Sequence, residues 1–283
     1  MKKLGILAGL LILLSQITYA QSFYSIRQER NLVAIGGFNF STFLGDLKPK
    51  GDIFDPKPSM TLGAMYYFTS RIGARAEFSY VSLAGDDAES DDRKALNLSF
   101  TSSNIEFSVT GIFNVFPNGQ RFYQRPAFNP YGFIGVGIST YNPKAELNGE
   151  KHELRPLMTE NVEYGKSTLV VPYGIGGRFM VSPLFNVSVE AGWRIAFTDY
   201  MDDVSTVYAD KSSSSALAQQ LADRSAEAGY GPREIGSIRG NPDKNDGYIL
   251  YSIKLEYYLP VQVFGNANQR KLYNRKRKGY YRR

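Results

Sequence analysis

Residues 185–198 read Phe-Asn-Val-Ser-Val-Glu-Ala-Gly-Trp-Arg-Ile-Ala-Phe-Thr. Phe185, Val187, Val189, Ala191, Trp193, Ile195 and Phe197 are all apolar, while Asn186, Ser188, Glu190, Gly192, Arg194, Ala196 and Thr198 are polar or small. Successive side chains of a β-strand point to opposite faces, so one face of this strand suits lipid and the other does not. A soluble β-sandwich also alternates, packing one face inward and wetting the other. A strand this long, with aromatic residues near its ends, fits the thickness of a membrane better.

The same period recurs on either side of it. Ile249, Tyr251, Ile253, Leu255, Tyr257 and Leu259 share a face, against Ser252, Lys254 and Glu256. Ile72, Ala74, Ala76, Phe78 and Tyr80 alternate with Gly73, Arg75, Glu77 and Ser79, and residues 104–115 and 169–181 repeat the pattern. Three weaker segments, at roughly 31–43, 59–68 and 128–141, bring the expected count to eight strands. Short turns near Thr69-Ser70, Pro117-Asn118-Gly119 and Ser182-Pro183 alternate with polar connections at roughly 44–58, 84–95, 142–165 and 199–246. That is the rhythm of an all-β, eight-stranded antiparallel transmembrane barrel with short periplasmic turns, long extracellular loops and periplasmic termini. Within the longest loop, Ser215 is placed to cap a short helix from Ala216 to Ala222, with an Ala-rich pattern continuing to Ala228 before Gly229 and Gly231-Pro232 stop it.

Composition agrees. The chain has 20 Tyr, 18 Phe and 27 Gly against one Trp, one His and no Cys. Aromatic residues can line two membrane interfaces, and glycines fit where strands bend. Residues 1–20 have the form of a signal peptide: Lys2 and Lys3, the apolar run Leu4–Leu14, then Thr18-Tyr19-Ala20 before a cleavage point at Gln21. With no Cys there is no lipid-modified cysteine, disulfide or thiolate site. Past residue 20 no apolar run of ~18 residues remains to form a transmembrane helix. The barrel is therefore expected over 21–260, followed by a periplasmic basic tail at 261–283. Arg270, Lys271, Arg275, Lys276, Arg277, Lys278, Arg282 and Arg283 give that tail its charge, so the whole-chain net of +6 conceals a mildly acidic body. Tyr273, Tyr280 and Tyr281 interleave with these charges. In the periplasm such a tail does not meet nucleic acid, which leaves an acidic partner surface or a solvated segment.

The expected lumen holds Arg75, Glu77, Glu106, Arg178, Glu190, Arg194, Lys254 and Glu256. An eight-stranded interior is just wide enough for side chains, so these charges read as a salt-bridged plug rather than an ion path, and Glu77 and Glu190 as poor candidates for acid–base catalysis. A barrel hydrolase or acyl transferase needs a nucleophile beside an oriented base. The one His, His152, stands between Lys151 and Glu153 in a loop. Asp199, Asp202 and Asp203 could form an acidic cation patch, but such loop acids more often make a solvated or hydrogen-bonded rim. No residue is assigned a catalytic, cofactor-binding or metal-binding role, and no cofactor is expected.

Several motifs together resemble a known family. They are Pro130-Tyr131-Gly132-Phe133-Ile134-Gly135-Val136-Gly137, the loop run Leu154-Arg155-Pro156-Leu157-Met158-Thr159-Glu160, Val171-Pro172-Tyr173-Gly174-Ile175-Gly176-Gly177-Arg178, and Thr198-Asp199-Tyr200-Met201-Asp202-Asp203-Val204-Ser205. The sequence is similar to the PorG-type outer-membrane barrels of Bacteroidetes, the DUF6089 group. The sequence departs from that pattern in having Met158 where a glycine is expected and Asn161-Val162 after Glu160 where glycine-rich sequence is expected. The resemblance implies a non-enzymatic barrel of the type IX secretion machinery, anchoring to the outer membrane a periplasmic ring built from a lipoprotein and its partner protein. A general structural or surface-binding barrel and a lipid-modifying barrel enzyme are the alternatives.

Overall fold

The computed structural model describes residues 30–47, 56–90, 93–118 and 122–260. The expected signal peptide at 1–20 and basic tail at 261–283 lie outside them. Among the described residues there are ten strands: β1 (Leu32–Leu44), β2 (Lys57–Tyr67), β3 (Ile72–Asp86), β4 (Ser99–Asn114), β5 (Phe128–Thr140), β6 (Lys144–Leu147), β7 (Glu150–Glu153), β8 (Ser167–Met180), β9 (Phe185–Ala196) and β10 (Gly247–Tyr258). All pairings are antiparallel. The long strands run β1-β2-β3-β4-β5-β8-β9-β10, and β10 pairs back onto β1, so eight strands close a barrel. The hairpin β6–β7 joins its upper edge through one pair, Thr101 with Lys144.

The registers fix the barrel's shape. Stepping between registered partners from Leu32 through Tyr66, Ala74, Gly111, Ile134, Tyr173, Trp193 and Ile249 returns to β1 at Thr42, ten residues further on. With ordinary strand spacing, that stagger over eight strands tilts them by about 41° and gives a radius of about 8 Å. At this tilt the outward apolar run of β4, from Ile105 to Val115, spans about 25 Å of height, the thickness of a barrel's lipid-facing band.

Outward side chains are large, apolar and bare: Phe38, Leu62, Ile134 and Ile175 are 64–69% exposed. Inward ones are polar and buried, among them Ser79, Asn104, Glu106, Ser108 and Thr110. This is the reverse of a water-soluble core and identifies lipid as the medium outside. Aromatic pairs mark the short-turn end of the band, with Phe128 against Phe179 at 4.8 Å, Phe185 against Tyr257 at 4.9 Å and Tyr66 against Phe68 at 5.3 Å.

At the other end the alternation inverts. Above Tyr80 and Ile105 the inward residues of β3 and β4 become Val81, Leu83 and Phe100, and the outward ones become Ser82, Ala84, Thr101 and Ser103. Here the strands have left lipid, and their inner faces support an apolar cap in which Phe43, Leu47, Leu98, Tyr141, Leu154, Met201, Val204 and Leu221 pack together. The strands consequently outrun the expectation from sequence. The first half of the connection expected at 84–95 belongs to β3 and its short 3-10 turn, and the 142–165 loop contains β6 and β7.

Ser215 caps helix α1 (Ala216–Ala222), its hydroxyl accepting from the Ala218 N–H at 3.2 Å. The helix does not continue to Ala228. Asp223 is extended, and its carboxylate accepts from the backbone of Ser225 (3.0 Å) and Arg233 (2.7 Å), so the chain turns there.

Candidate functional site

Two buried polar systems stand out, one inside the barrel and one above it. The barrel interior is ion-paired at three levels. Near the short-turn end, Arg178 of β8 donates to Glu256 at 2.6 Å and to Asn114 at 2.8 Å, and it lies over the Tyr131 ring at 4.3 Å. Beside it, Arg125 covers the Tyr258 ring at 4.0 Å and donates to the carbonyls of Ser182 and Pro183 and to Asn186. At mid-height four charges from three strands meet. Arg75 pairs with Glu190 and, at 3.0 Å, with Glu77; Lys254 pairs with Glu77 and, at 2.8 Å, with Glu190; the Tyr131 hydroxyl donates to Glu190. Higher up, Glu106 accepts from Arg194 at 3.3 Å and from Tyr248 at 2.7 Å.

All eight charges expected in the lumen are therefore there, and they form the salt-bridged plug read from sequence. Each acid has a basic partner, so these eight desolvated charges are balanced among themselves. Glu77 and Glu190 are held by the cations beside them, and Glu190 also accepts from the Tyr131 hydroxyl.

The loops above form the second system. Glu160 accepts from the backbone of Ser205 (3.0 Å) and Thr206 (2.9 Å), from the Thr206 hydroxyl (2.7 Å) and from Arg239 (2.8 Å). Asp203, with φ at 69°, accepts from the Thr159 and Tyr164 hydroxyls, and Arg239 lies 3.6 Å from it. Asp202 is fully buried and accepts from the backbone of Leu47 (3.2 Å) and Val204 (3.0 Å). Asp246 accepts from Met201 N–H at 2.9 Å, and Tyr141, Tyr164 and Tyr200 stack at 6.0 and 4.9 Å.

Of the sequence readings of Asp199, Asp202 and Asp203, the hydrogen-bonded one fits Asp202 and Asp203, while exposure to solvent is corrected for all three. They are buried, and the Asp202 and Asp203 carboxylates are occupied by chain N–H groups, hydroxyls and Arg239. Burial pushes the Asp202 and Asp246 carboxyls well above the carboxylate range, and the charges of Asp46 on Asp202 and of Asp202 on Asp246 add to it. Burial also raises Asp199 to about 7. Arg239 was not singled out in the sequence because it sits in a stretch without periodicity; only a sparse cation among loop acids could have pointed to it. His152 lies on β7 opposite Ala145, in the hairpin above the barrel.

The two loop motifs, 154–160 and 198–205, are thus bound to each other through Thr159–Asp203, Glu160–Ser205 and Arg239. Met158 adopts the left-handed conformation, φ 45° and ψ 57°, at the position where a glycine was expected. Lys211 secures that turn by donating to the carbonyls of Met158 (2.7 Å) and Leu157 (3.2 Å) and to Asn161 (2.8 Å).

A closed antiparallel sheet with bare apolar side chains outside and balanced charges inside defines a membrane-spanning β-barrel. The family model described as "Domain of unknown function (DUF6089)" matches residues 7–217, well over half the chain, and the protein belongs to that family. No curated protein matches the sequence significantly. Among solved structures, the chain is similar to neisserial surface protein A (6% identity, TM-score 0.42, covering 81% of this chain and 97% of that one). It is also similar to the outer membrane protein OprG of Pseudomonas aeruginosa (12%, 0.41, 82% and 97%) and the outer membrane enzyme PagL (9%, 0.33, 80% and 99%).

Proposed function

We propose that this protein is a non-enzymatic outer-membrane anchor, and that it tethers a periplasmic ring of the type IX secretion machinery, as its resemblance to PorG-type barrels implies. The observation that carries the anchoring role is the balanced plug: with Arg75, Glu77, Glu190 and Lys254 paired across mid-lumen, the barrel offers no polar path, and its business lies at its ends. β1 begins and β10 ends at the short-turn end, which is where this reading puts the basic segment 261–283. In this reading the barrel supplies a fixed point in the membrane, while the turns and tail meet the ring lipoprotein or its partner from above.

A second reading, a surface-binding barrel, is favoured by the interlocked loop cap, since a rigid outer surface suits recognition. Crosslinked affinity capture from native outer membrane, with full-length protein and a copy lacking residues 265–283, separates the two. Ring components recovered with the intact protein alone place tethering on the tail, and recovery with both moves it to the turns. Recovery with neither overturns the anchor reading.

A further inference from the structure

The inversion of side-chain pattern on β3 and β4 leaves a basin of about 560 Å³ on the outer wall, immediately above the lipid-facing band. Its floor is the hydroxyl-bearing face of the two strands, Ser82, Thr101 and Ser103. Lys57, at the start of β2, stands on one side; on the other, the β6–β7 hairpin brings Lys144 and Lys151. Thus three ammonium groups surround the floor, and among the described residues no carboxylate lines this part. Among the described acids nearby, Glu153 pairs with Lys144 at 3.1 Å, while Asp86 and Glu146 line a smaller upward extension that Lys57, Lys144 and Lys151 also border. Below the basin the wall turns apolar at once. Tyr80 and Ile105 are registered partners, both close to half exposed, with Phe78 and Phe107 the next outward pair; the Tyr80 hydroxyl donates to Ser103 at 2.9 Å.

Cations over hydroxyls suit a phosphate, and a continuous apolar wall beneath suits acyl chains. We propose that this basin binds the phosphorylated headgroup of a lipid in the surrounding leaflet, whose chains lie along Phe78, Tyr80, Ile105 and Phe107. The inference rests on the membrane reading of the barrel. Asp86 and Glu146 in the upper extension repel an anion from above and bias it toward the membrane side. A free phosphate shares the headgroup chemistry but gains nothing from the wall below.

The test is native mass spectrometry of the full-length barrel in detergent, titrated with bisphosphorylated lipid A, the same lipid dephosphorylated, or inorganic phosphate. A Lys57→Gln/Lys144→Gln/Lys151→Gln variant is compared with a Lys166→Gln/Lys244→Gln control. In parallel, quenching of Trp193 by brominated lipid reports insertion into vesicles. The inference expects the bisphosphorylated lipid to bind most tightly, a loss of roughly a hundredfold in the triple variant, and no loss in the control. Equal binding by the triple variant, or equal binding of the dephosphorylated lipid, overturns it. Inorganic phosphate binding as tightly as the lipid overturns the lipid source. If Trp193 is quenched and no lipid is retained, the headgroup site alone fails; if Trp193 is not quenched, the membrane reading fails with it.

Discussion

Neutralising Glu190 isolates the role of the lumen charges. In Glu190→Gln the side chain keeps its size but no longer balances Arg75 and Lys254, so Glu77 alone faces two buried cations. Removing one member of a buried pair costs about 3–5 kcal/mol, because the remaining charge is desolvated and unmatched. Tyr131, whose hydroxyl donates to Glu190, keeps an acceptor in Gln, so hydrogen-bond loss contributes little. The double variant Glu190→Gln/Lys254→Gln restores balance, with Arg75 facing Glu77, and should recover about 2 kcal/mol or more relative to additive behaviour. The chain's single Trp, Trp193, lies on the outer face of β9 and provides the signal: urea unfolding from lipid vesicles, followed by its emission, gives both free energies. A Glu190→Gln barrel within about 0.5 kcal/mol of the parent, or strictly additive effects, would refute the claim that this level is desolvated and charge-balanced.

The cap should respond to pH. Burial raises Asp199 to about 7, and Asp202 and Asp246 are raised in the same direction, so the folded cap binds these protons more tightly than the unfolded loops. That stabilisation is complete below the ordinary carboxylate range and lost as pH rises through about 7, so loops 197–246 should exchange amide hydrogens faster at pH 8 than at pH 5; the opposite order would count against the buried cluster. Met158→Gly should stabilise the cap by about 0.5–1 kcal/mol by relieving a left-handed non-glycine, measured as slower proteolysis of the loop. Ile134→Arg, in the middle of the exposed band, should destabilise the vesicle-inserted barrel by about 2–4 kcal/mol while Ile134→Leu leaves it unchanged, both read by the same urea titration.

The strands were legible because the two faces of each lie in media of opposite polarity, which forces a strict period of two through residues such as Val187–Phe197 and Asn186–Arg194. Legibility ended where that contrast ended. Val81, Leu83 and Phe100 point inward beneath the cap while Ser82 and Thr101 meet water, so the pattern changes sign at Tyr80 and the strand's continuation resembles a loop. The β6–β7 hairpin did carry a local signal: Asn148-Gly149, both at positive φ, is the two-residue turn that such hairpins favour. The lumen pairs could be named as a set but not partnered, because Arg75 and Glu190 are brought together only by the stagger around the barrel. The motif acids Asp202 and Asp203 were visible as residues, yet their burial depends on Leu47, Glu160 and Arg239 arriving from three different connections.

Orientation in the membrane is tested most directly by single-cysteine labelling, for which a chain with no Cys needs no background removed. Cysteines at Ile134 and Ile175 sample the band, at Glu150 and Glu234 the loop end, and at Ser70 a short turn. With a water-soluble maleimide on intact cells, the account predicts labelling at 150 and 234, protection at 134 and 175, and labelling at 70 only after the outer membrane is permeabilised. Band cysteines that react as fast as loop cysteines, or a Ser70→Cys protein labelled in intact cells, would contradict a barrel that crosses the membrane with its cap outward.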